Sequence, residues 1–397
     1  MTNPDFLSQL INKQVTFRFM RQELRLSLSQ SLFSSFDVDV GTRLLLKTIA
    51  KEIDLQALSS VLDVGCGVGT LGLALKKAAP HITLTAQDRD ALAVAFTQMN
   101  ARRNKIGEIT AVTGLAFQHL TGPFDLIISN LPGKAGEPAL RHMLAQMAEW
   151  GKMTAVVIVN PLAEWLADTL RQQGCEIVYT EQGRGHTVTH FRGGVRPLQA
   201  NEAETDPLKP YTRGQFPFKL GKHTLTLRTV YNLPEFDTLG HYTALALSML
   251  NNETVGGSVL VWNPGQGHMP VYLLRQAGAR LSHLTLAGRD GLSLENGRAN
   301  LLAHGANPTQ ITLHHIPHVH GLSGSYDWII IFPDIDPGVP WENHLLPVLH
   351  QAIHAKGHVL LTAKSAFVFR LLTAPHPFHK QHDRKKQGYR ALLLESP

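Results

Sequence analysis

Apolar and polar residues follow one another in the first half of the chain as short strand-like runs separated by longer helix-like segments. Runs with apolar residues at every second position, or apolar throughout, predict strands, and segments with apolar residues every three to four positions predict helices. The predicted strands are near 60–64, 82–87, 109–113, 124–129, 153–159, 175–180 and 187–192, and the predicted helices near 70–79, 90–103, 137–150 and 161–172. This alternation predicts a doubly wound, mostly parallel α/β sheet, and the lack of a helix between the last two strands predicts an antiparallel edge strand.

The same pattern returns about 200 residues further along the chain. The matched segments are 60–69 with 258–267, 88–92 with 288–292, and 124–128 with 326–330. A Pro- and Gly-containing acidic stretch lies between the two copies and predicts a linker. We therefore predict two tandem Rossmann-like domains, each with a seven-stranded sheet, over 1–192 and 211–397, joined by a linker at 193–210.

A glycine-rich loop follows the first predicted strand of the alternating pattern. The strand ends in Asp63, and glycine then occupies every second position, at Gly65, Gly67 and Gly69. Glycine lets the backbone pass close to a ligand with torsion angles that other residues resist. A dinucleotide-binding loop would need Gly-x-Gly-x-x-Gly, but Thr70 stands where its third glycine belongs. The loop therefore departs from the dinucleotide-binding pattern.

Asp88 ends the next predicted strand, 82–87. A carboxylate at this place in a nucleotide-binding fold accepts the two ribose hydroxyl groups. The alternative is that Asp88 or Asp90 caps the helix that follows, since Asp is a favoured N-cap residue. We favour the ribose role for Asp88 because the glycine loop precedes it.

Asn130, Leu131 and Pro132 stand at the carboxyl end of the buried strand 124–129. Ligands of open α/β sheets bind beyond the carboxyl ends of the strands, so Asn130 should face the same crevice as the glycine loop and Asp88. Its side-chain oxygen can accept one N–H of a planar amine while a neighbouring carbonyl accepts the other, which aims the nitrogen at a methyl donor. The alternative is a plain exit from strand to turn.

The Asp-x-Gly-x-Gly-x-Gly loop resembles motif I of the class I S-adenosylmethionine (SAM) methyltransferases. The segment 33–46, with its Phe-Ser and Asp-x-Gly-Thr, resembles that of the bacterial ribosomal-RNA guanine-N2 methyltransferases of the RsmC and RlmG type. The resemblance implies SAM as cofactor and Asn130, Leu131 and Pro132 as catalytic residues. The cofactor-binding residues it implies are Asp39, Gly41, Thr42, Asp63, Gly65, Cys66, Gly67, Gly69, Thr70, Asp88, Arg89, Gly114, Leu115 and Asn130.

The chain departs from that family at three places. The family's Asn-Pro-Pro-Phe is Asn-Leu-Pro-Gly here, without an aromatic residue to stack on a base. The third strand of the pattern ends in Thr113-Gly114-Leu115 without an acid, so the adenine would rest on backbone N–H groups and apolar contacts. In the family the first copy is degenerate, whereas here the second is. In the second copy, Val261, Asn263 and Gly288 stand at the positions of Asp63, Gly65 and Asp88, and residues 332–334 replace Asn130, Leu131 and Pro132.

Composition limits the class of protein further. The 397 residues carry a net charge of +6 with pI about 9.3, which is the right sign for a phosphate-bearing partner. Two cysteines argue against a disulfide framework, and the sequence shows neither a membrane span nor a signal peptide. The histidine-rich run 314–320 lacks a completing Cys or acid, so we predict no metal site. We expect a cytoplasmic protein; tandem copies can pack as a pseudo-dimer, which leaves the oligomeric state open.

Three functions fit these observations. The first is SAM-dependent methylation of a guanine exocyclic amine, N2, in RNA, with ribosomal RNA as the expected substrate. The second is methylation of tRNA guanine N1 or of a protein glutamine, because Asn-x-Pro sites serve several planar nitrogens. The third is a non-catalytic RNA- or ribosome-binding protein with a vestigial methyltransferase fold. The intact acids and glycines of the first copy favour an enzyme.

Overall fold

A computed structural model describes residues 4–33, 36–193 and 206–397 of the chain. It divides the chain into two compact units. The first unit is Leu7–Tyr211, and the second unit comprises Thr212–Pro397 together with the described residues 4–6. Most of the predicted linker lies outside the described residues. Its last described residues, from 206 onwards, group with the first unit.

The first unit contains an N-terminal hairpin and the alternating elements that the sequence pattern predicts. Its elements, after helix α1 (Pro4–Gln9), are β1 (Lys13–Phe19), β2 (Gln22–Leu28), α2 (Val40–Glu52), β3 (Ser60–Val64), α3 (Thr70–Ala78), β4 (Thr83–Asp88), α4 (Ala91–Arg103), β5 (Ile109–Thr113), β6 (Phe124–Asn130), α5 (Glu137–Trp150), β7 (Gly151–Val159), α6 (Ala163–Gln172), β8 (Glu176–Gln182) and β9 (His186–Arg192).

Strands β3 to β9 form one seven-stranded sheet in the order β5-β4-β3-β6-β7-β9-β8. β3 lies in its interior, with Leu62 opposite Thr85 on one side and Ile127 on the other, both in parallel register. The predicted antiparallel strand is β9, which runs antiparallel to both β7 and β8. It lies one position in from the edge, because the chain returns from β8 to pair with β7, and β8 is outermost.

The second unit repeats this architecture and confirms the predicted duplication of the fold. Its elements are β10 (Thr212–Leu220), β11 (His223–Val230), α7 (His241–Leu250), β12 (Gly257–Trp262), α8 (His268–Ala277), β13 (Leu281–Gly288), α9 (Gly291–Ala303), β14 (Ile311–His315), β15 (Tyr326–Ile331), α10 (Leu345–Ala352), β16 (Ile353–Lys364), α11 (Ser365–Thr373), β17 (His379–Lys386) and β18 (Tyr389–Glu395). The sheet order β14-β13-β12-β15-β16-β18-β17 matches that of the first unit strand for strand.

Each unit also carries a two-stranded hairpin, β1–β2 or β10–β11, that the periodicity did not predict. One asparagine of the helix after the second sheet strand fixes each hairpin. Asn100 accepts from Ser27 N at 2.7 Å and donates to Val68 O at 2.9 Å. Asn300 likewise accepts from Arg228 N at 2.9 Å and donates to Gln266 O at 2.9 Å. The hairpin is thereby tied to the loop after the first sheet strand in both units.

Candidate functional site

The loop between β3 and α3 has the backbone that its glycines predict. Gly65, Gly67 and Gly69 all adopt left-handed torsions, with φ of 74°, 56° and 86°. The N–H groups of Gly65 and Cys66 both donate to Gln87 O, at 2.8 and 3.0 Å, which fastens the loop to the end of β4. A Cβ added at Gly65 or Gly67 would meet no atom within 4 Å. The loop therefore borders open space, and glycine is required there by torsion.

Asp88 braces this loop from the tip of β4. Its Oδ2 accepts from Gly67 N at 3.0 Å and its Oδ1 from Asp90 N at 2.9 Å. Asp90 is the residue that caps α4, by accepting from Leu92 N at 2.9 Å. Of the two acids that could cap this helix, Asp90 is the cap, and Asp88 contacts the glycine loop. Each carboxylate oxygen of Asp88 can accept more than one hydrogen bond, so the carboxylate retains capacity for hydroxyl donors.

Asp63 is fully buried behind the loop. Its Oδ2 accepts from Gly72 N at 2.8 Å, and among the described residues its buried Oδ1 has no hydrogen-bond partner. The pKa of this carboxyl group is raised to about 7, chiefly by burial and to a smaller extent by the charge of Asp88, while the hydrogen bond from Gly72 N lowers it. Asp63 therefore contacts the first turn of α3, and its side chain supports the loop from the core.

Asn130 is held in one orientation by two residues of the α2 N-terminus. Its Nδ2 donates to Asp39 Oδ2 at 3.0 Å and to Thr42 Oγ1 at 3.2 Å. A carboxylate accepts hydrogen bonds and cannot donate them, so the amide must turn its nitrogen towards Asp39. Asn130 Oδ1 then remains as an acceptor, and it has no hydrogen-bond partner among the described residues.

Asp39 also caps α2, because the same Oδ2 accepts from Thr42 N at 3.2 Å. Gly41 permits this close packing: a Cβ there would lie 2.9 Å from Asp39 Oδ2 and 2.9 Å from His186 Cδ2. The structure thus brings Asp39, Gly41 and Thr42 together at Asn130.

The remaining residues implied by the resemblance make contacts within the protein. The Cys66 thiol is buried, accepts from Thr97 Oγ1 at 3.4 Å, and has a pKa raised well above its ordinary value, chiefly by burial. Gly114 N donates to Asp88 O at 3.0 Å and Leu115 N to Gln118 Oε1 at 3.2 Å. These two N–H groups are therefore already engaged within the protein, and the expectation that an adenine rests on backbone N–H groups and apolar contacts stays a prediction.

Two further residues from the same list flank the loop. Thr70 is the first residue of α3 and is buried, while Arg89 follows Asp88 at the strand tip. The charge of Arg89 partly offsets the effect of burial on Tyr211, whose pKa is raised to about 12. Leu131 and Pro132 continue from Asn130; Leu131 N donates to Val157 O at 2.9 Å, and Pro132 O accepts from Ala135 N at 2.8 Å.

Sequence reasoning missed His186, the first residue of β9. Its ring packs against Gly41, and its buried Nδ1 has no hydrogen-bond partner among the described residues. β9 runs antiparallel to β7, so its first residue lies at the carboxyl edge of the sheet, opposite Val159. The antiparallel register was the available signal, but no motif marks this histidine.

The corresponding loop of the second unit is filled by one of its own side chains, that of Asn263. Asn263 stands in place of Gly65 with a left-handed φ of 57°, and its Nδ2 donates to Phe332 O at 2.8 Å. Gly288 replaces Asp88, and a Cβ there would lie 2.8 Å from Asn263 Oδ1. The amide thus fills the space that an acidic side chain would need.

In the part of the chain that the structure describes, no group of three or more His, Cys, Asp or Glu is arranged to hold a metal ion.

Residues 23–156 match the family model described as "Methyltransferase small domain". The matched residues all lie in the first unit. The resemblance drawn from the glycine loop and the segment 33–46 is thereby confirmed for this part of the chain.

Searched over the described residues, no helix has both the length and the apolar character needed to cross a membrane.

The chain is similar to two ribosomal RNA small subunit methyltransferases C. It is 37% identical to that of Pasteurella multocida (strain Pm70) over 131 residues, which are 32% of this chain and 38% of that protein. It is 33% identical to that of Serratia proteamaculans (strain 568) over 147 residues, which are 35% of this chain and 41% of that protein. The match thus spans about two fifths of these curated relatives.

One solved structure covers both units. The T. thermophilus 16S rRNA N2 G1207 methyltransferase (RsmC), in complex with AdoMet and guanosine, aligns with 98% of this chain and 99% of its own at a TM-score of 0.67. Sequence identity in that alignment is 15%, so the likeness concerns the fold, and it confirms the tandem architecture.

Proposed function

We propose that the first unit is a SAM-dependent methyltransferase that acts on the exocyclic N2 amine of a guanine in RNA, with small-subunit ribosomal RNA as the substrate. One observation carries the proposal: the amide of Asn130 is locked by Asp39 and Thr42 with its Oδ1 left as an acceptor at the carboxyl edge of the sheet. The names of the similar proteins supply the RNA class, since they are called small-subunit ribosomal RNA methyltransferases.

The residues around the glycine loop fit the cofactor. The open space over Gly65 and Gly67 accommodates a ligand against the backbone, and the carboxylate of Asp88 stands at the strand tip where ribose hydroxyl groups bind. Bound there, SAM supplies a methyl group on a sulfonium, which is open to in-line displacement. The protein therefore needs no nucleophile of its own.

The residues at Asn130 act by orientation. Asn130 Oδ1 accepts one N–H of the guanine amine, and the carbonyl of Leu131 takes the other, because the Pro132 carbonyl already accepts from Ala135 N. With both N–H groups held, the nitrogen lone pair is aimed along the line of displacement. After transfer the amine nitrogen loses one of these protons to water. Asp39 and Thr42 serve as positioning residues for Asn130.

The second unit has the role of a substrate platform in this proposal. Its outermost strand, β17, is exposed at all eight residues and contains Lys380, Arg384, Lys385 and Lys386. Basic residues on an edge strand also discourage aggregation, so their presence alone does not identify a ligand. We assign them to the RNA backbone because the filled loop at Asn263 leaves this unit without a cofactor site.

One observation favours a second acceptor. Gly133 follows Asn130-Leu131-Pro132 where the guanine-N2 family has an aromatic residue, and the Asn-Leu-Pro form also suits guanine N1 of tRNA or a glutamine amide. Mass mapping of RNA from a deletion strain tests the choice. We expect loss of one N2-methylguanosine from small-subunit rRNA. Unchanged rRNA guanines, together with a lost modification in tRNA or protein, would contradict the N2 assignment.

Purified protein provides the complementary experiment. We expect saturable SAM binding by calorimetry, one site per chain, and transfer of labelled methyl to rRNA that lacks the modification. Binding of RNA without any SAM binding would instead identify a vestigial fold with a non-catalytic role.

A further inference from the structure

A base that presents its exocyclic amine must be held flat, and proteins that bind unpaired bases do this by stacking them on aromatic side chains. The segment Asn130–Gly133 contains no aromatic residue. At Gly133 an added Cβ would make only ordinary contacts, 3.5 Å from Leu162 Cδ1 and 3.5 Å from Val159 Cγ2. The base therefore needs its stacking partner from another part of the chain.

Two phenylalanines stand out on the surface of the first unit. Among its described residues, Phe33 and Phe36 are the aromatic side chains that are mostly exposed, at 68% and 62%. Val40, exposed at 56%, lies on the same segment, and Val159, at the carboxyl end of β7, is exposed at 38%. Single exposed apolar residues are common on protein surfaces, but Phe33, Phe36 and Val40 lie close together in sequence around Asp39.

The segment after Phe36 is held firmly against α2. Asp37 Oδ1 accepts from Val38 N at 2.7 Å and from Arg43 Nη2 at 2.9 Å. Arg43 Nε donates to Val38 O at 3.1 Å, and Asp39 then joins Asn130. Three residues of extended chain span at most about 11 Å, so Phe36 lies within that distance of Asp39, the residue that accepts from Asn130. The chain is thus anchored to α2 directly after Phe36, through Asp37 and Val38.

We propose that Phe36 is the residue on which the acceptor purine stacks. The proposal rests on the proposed function, since it takes the ligand of Asn130 to be a base of single-stranded RNA. Phe36 takes the role of the aromatic residue that is missing after Pro132. Its ring fixes the plane of the base, and Asn130 fixes the position of the exocyclic amine. Phe36 is preferred to Phe33 because the hydrogen bonds of Asp37 and Val38 connect it to Asp39.

Phe36→Ala tests this in the full chain. Stacking of one base contributes enough binding free energy that its loss should raise KM for RNA about 5- to 100-fold. We expect kcat to change less than about threefold, and the Kd for SAM and the thermal midpoint to stay as in the wild type. Phe36→Trp should keep KM within about threefold. The matched control is Phe369→Ala, since Phe369 is exposed to a similar degree, 60%, on α11 of the second unit.

A spectroscopic readout separates stacking from a structural role. Addition of an RNA oligonucleotide should quench the fluorescence of Phe36→Trp beyond that of the wild type, because a stacked indole loses emission to the base. In a Phe36→Ala background, Gly133→Phe should recover part of the lost affinity.

The proposal is overturned if Phe36→Ala and the wild type share the same KM, or if Phe36→Trp loses as much as Phe36→Ala. A wild-type protein that methylates a protein amide and no RNA would overturn the stacking proposal and the proposed acceptor together. RNA methylation with an unchanged KM in Phe36→Ala would overturn the stacking proposal alone.

Discussion

The two units share a sheet order and a loop geometry but differ in what stands beside the loop. In the first unit Gly65 leaves the space above the backbone open and Asp88 reaches back to the Gly67 N–H. In the second unit Asn263 adopts the same left-handed torsion, and its amide occupies the room that Gly288 leaves. Two substitutions therefore convert an open, acid-lined loop into a closed one.

The parts of the loop that serve folding are present in both units. Asn100 and Asn300 tie their hairpins to the loop with nearly the same distances, and Asp90 and Asp290 cap their helices in the same way. Gly65 and Asp88, to which we assign the cofactor, are replaced by Asn263 and Gly288 in the second unit. The comparison teaches that the hydrogen bonds which maintain this fold persist where the residues that we assign to the cofactor are replaced.

The largest effect should come from Asn130→Ala in the first unit. Loss of the oriented acceptor should lower kcat about 100- to 1,000-fold, because misplacing a reacting group costs rate steeply. The Kd for SAM should stay within about threefold, measured by calorimetry. Asn263→Ala is the control from the second unit and should leave kcat unchanged. A kcat for Asn130→Ala within threefold of the wild type would show that Asn130 has no part in the chemistry.

Asp88→Ala should weaken SAM binding by at least about 100-fold, since two hydrogen bonds to a charged group contribute about 3 to 6 kcal/mol together. Asp88→Asn controls for the loop: one amide oxygen can still accept from Gly67 N, so the fold is kept while the charge is lost. We expect an intermediate Kd for Asp88→Asn. Equal affinity in the wild type and Asp88→Ala would contradict the ribose assignment.

Sequence reasoning found the main-chain scaffold and the order of the site residues. The strands around Asp63, Asp88 and Asn130 follow from periodicity, because buried parallel strands are nearly continuous apolar runs. It missed the hydrogen-bonding and packing partners that orient these residues. The bond from Asn130 to Asp39 joins positions 91 apart, and His186 reaches Gly41 through a late antiparallel strand. Such contacts depend on how segments pack, which a local pattern does not encode.

The catalytic and cofactor roles of the individual residues stay predictions, as do the roles of the two units. Engagement of Gly114 N and Leu115 N by Asp88 and Gln118 could not be read from the sequence either, because it depends on how the loop after β5 turns back.

A smaller effect should follow from reversing charge on β17. Lys385→Glu with Lys386→Glu should weaken RNA binding about tenfold and flatten the dependence of affinity on salt, since each lost phosphate contact lowers the slope by about 0.7 for a single strand. Lys219→Glu with Lys222→Glu makes the same change of charge on the hairpin β10–β11 of the same unit and is the control. If both double variants lose the same RNA affinity, the loss reflects the net charge of the protein, and β17 is not an RNA-binding surface.

The smallest effect concerns stability, and it sharpens the comparison between Asp63 and Val261, which occupies its place in the second unit. The pKa of Asp63 is raised to about 7, with burial as the main cause. The folded state therefore binds a proton more tightly than the unfolded chain, so this contribution to stability is present at low pH and lost as pH rises from about 4 to about 7. Asp63→Asn has no such titration and keeps an oxygen that accepts from Gly72 N.

The thermal midpoint of the wild type should accordingly fall, relative to Asp63→Asn, by about 5 to 10 °C between pH 4 and pH 8, on a loss of about 2 to 4 kcal/mol. The buried amide of the variant costs stability at every pH, so it shifts the curve without changing its slope. Val261→Ala should lower the midpoint by an amount independent of pH, because a cavity does not titrate. A pH-independent difference between the wild type and Asp63→Asn would mean that Asp63 stays charged in the folded state despite its burial.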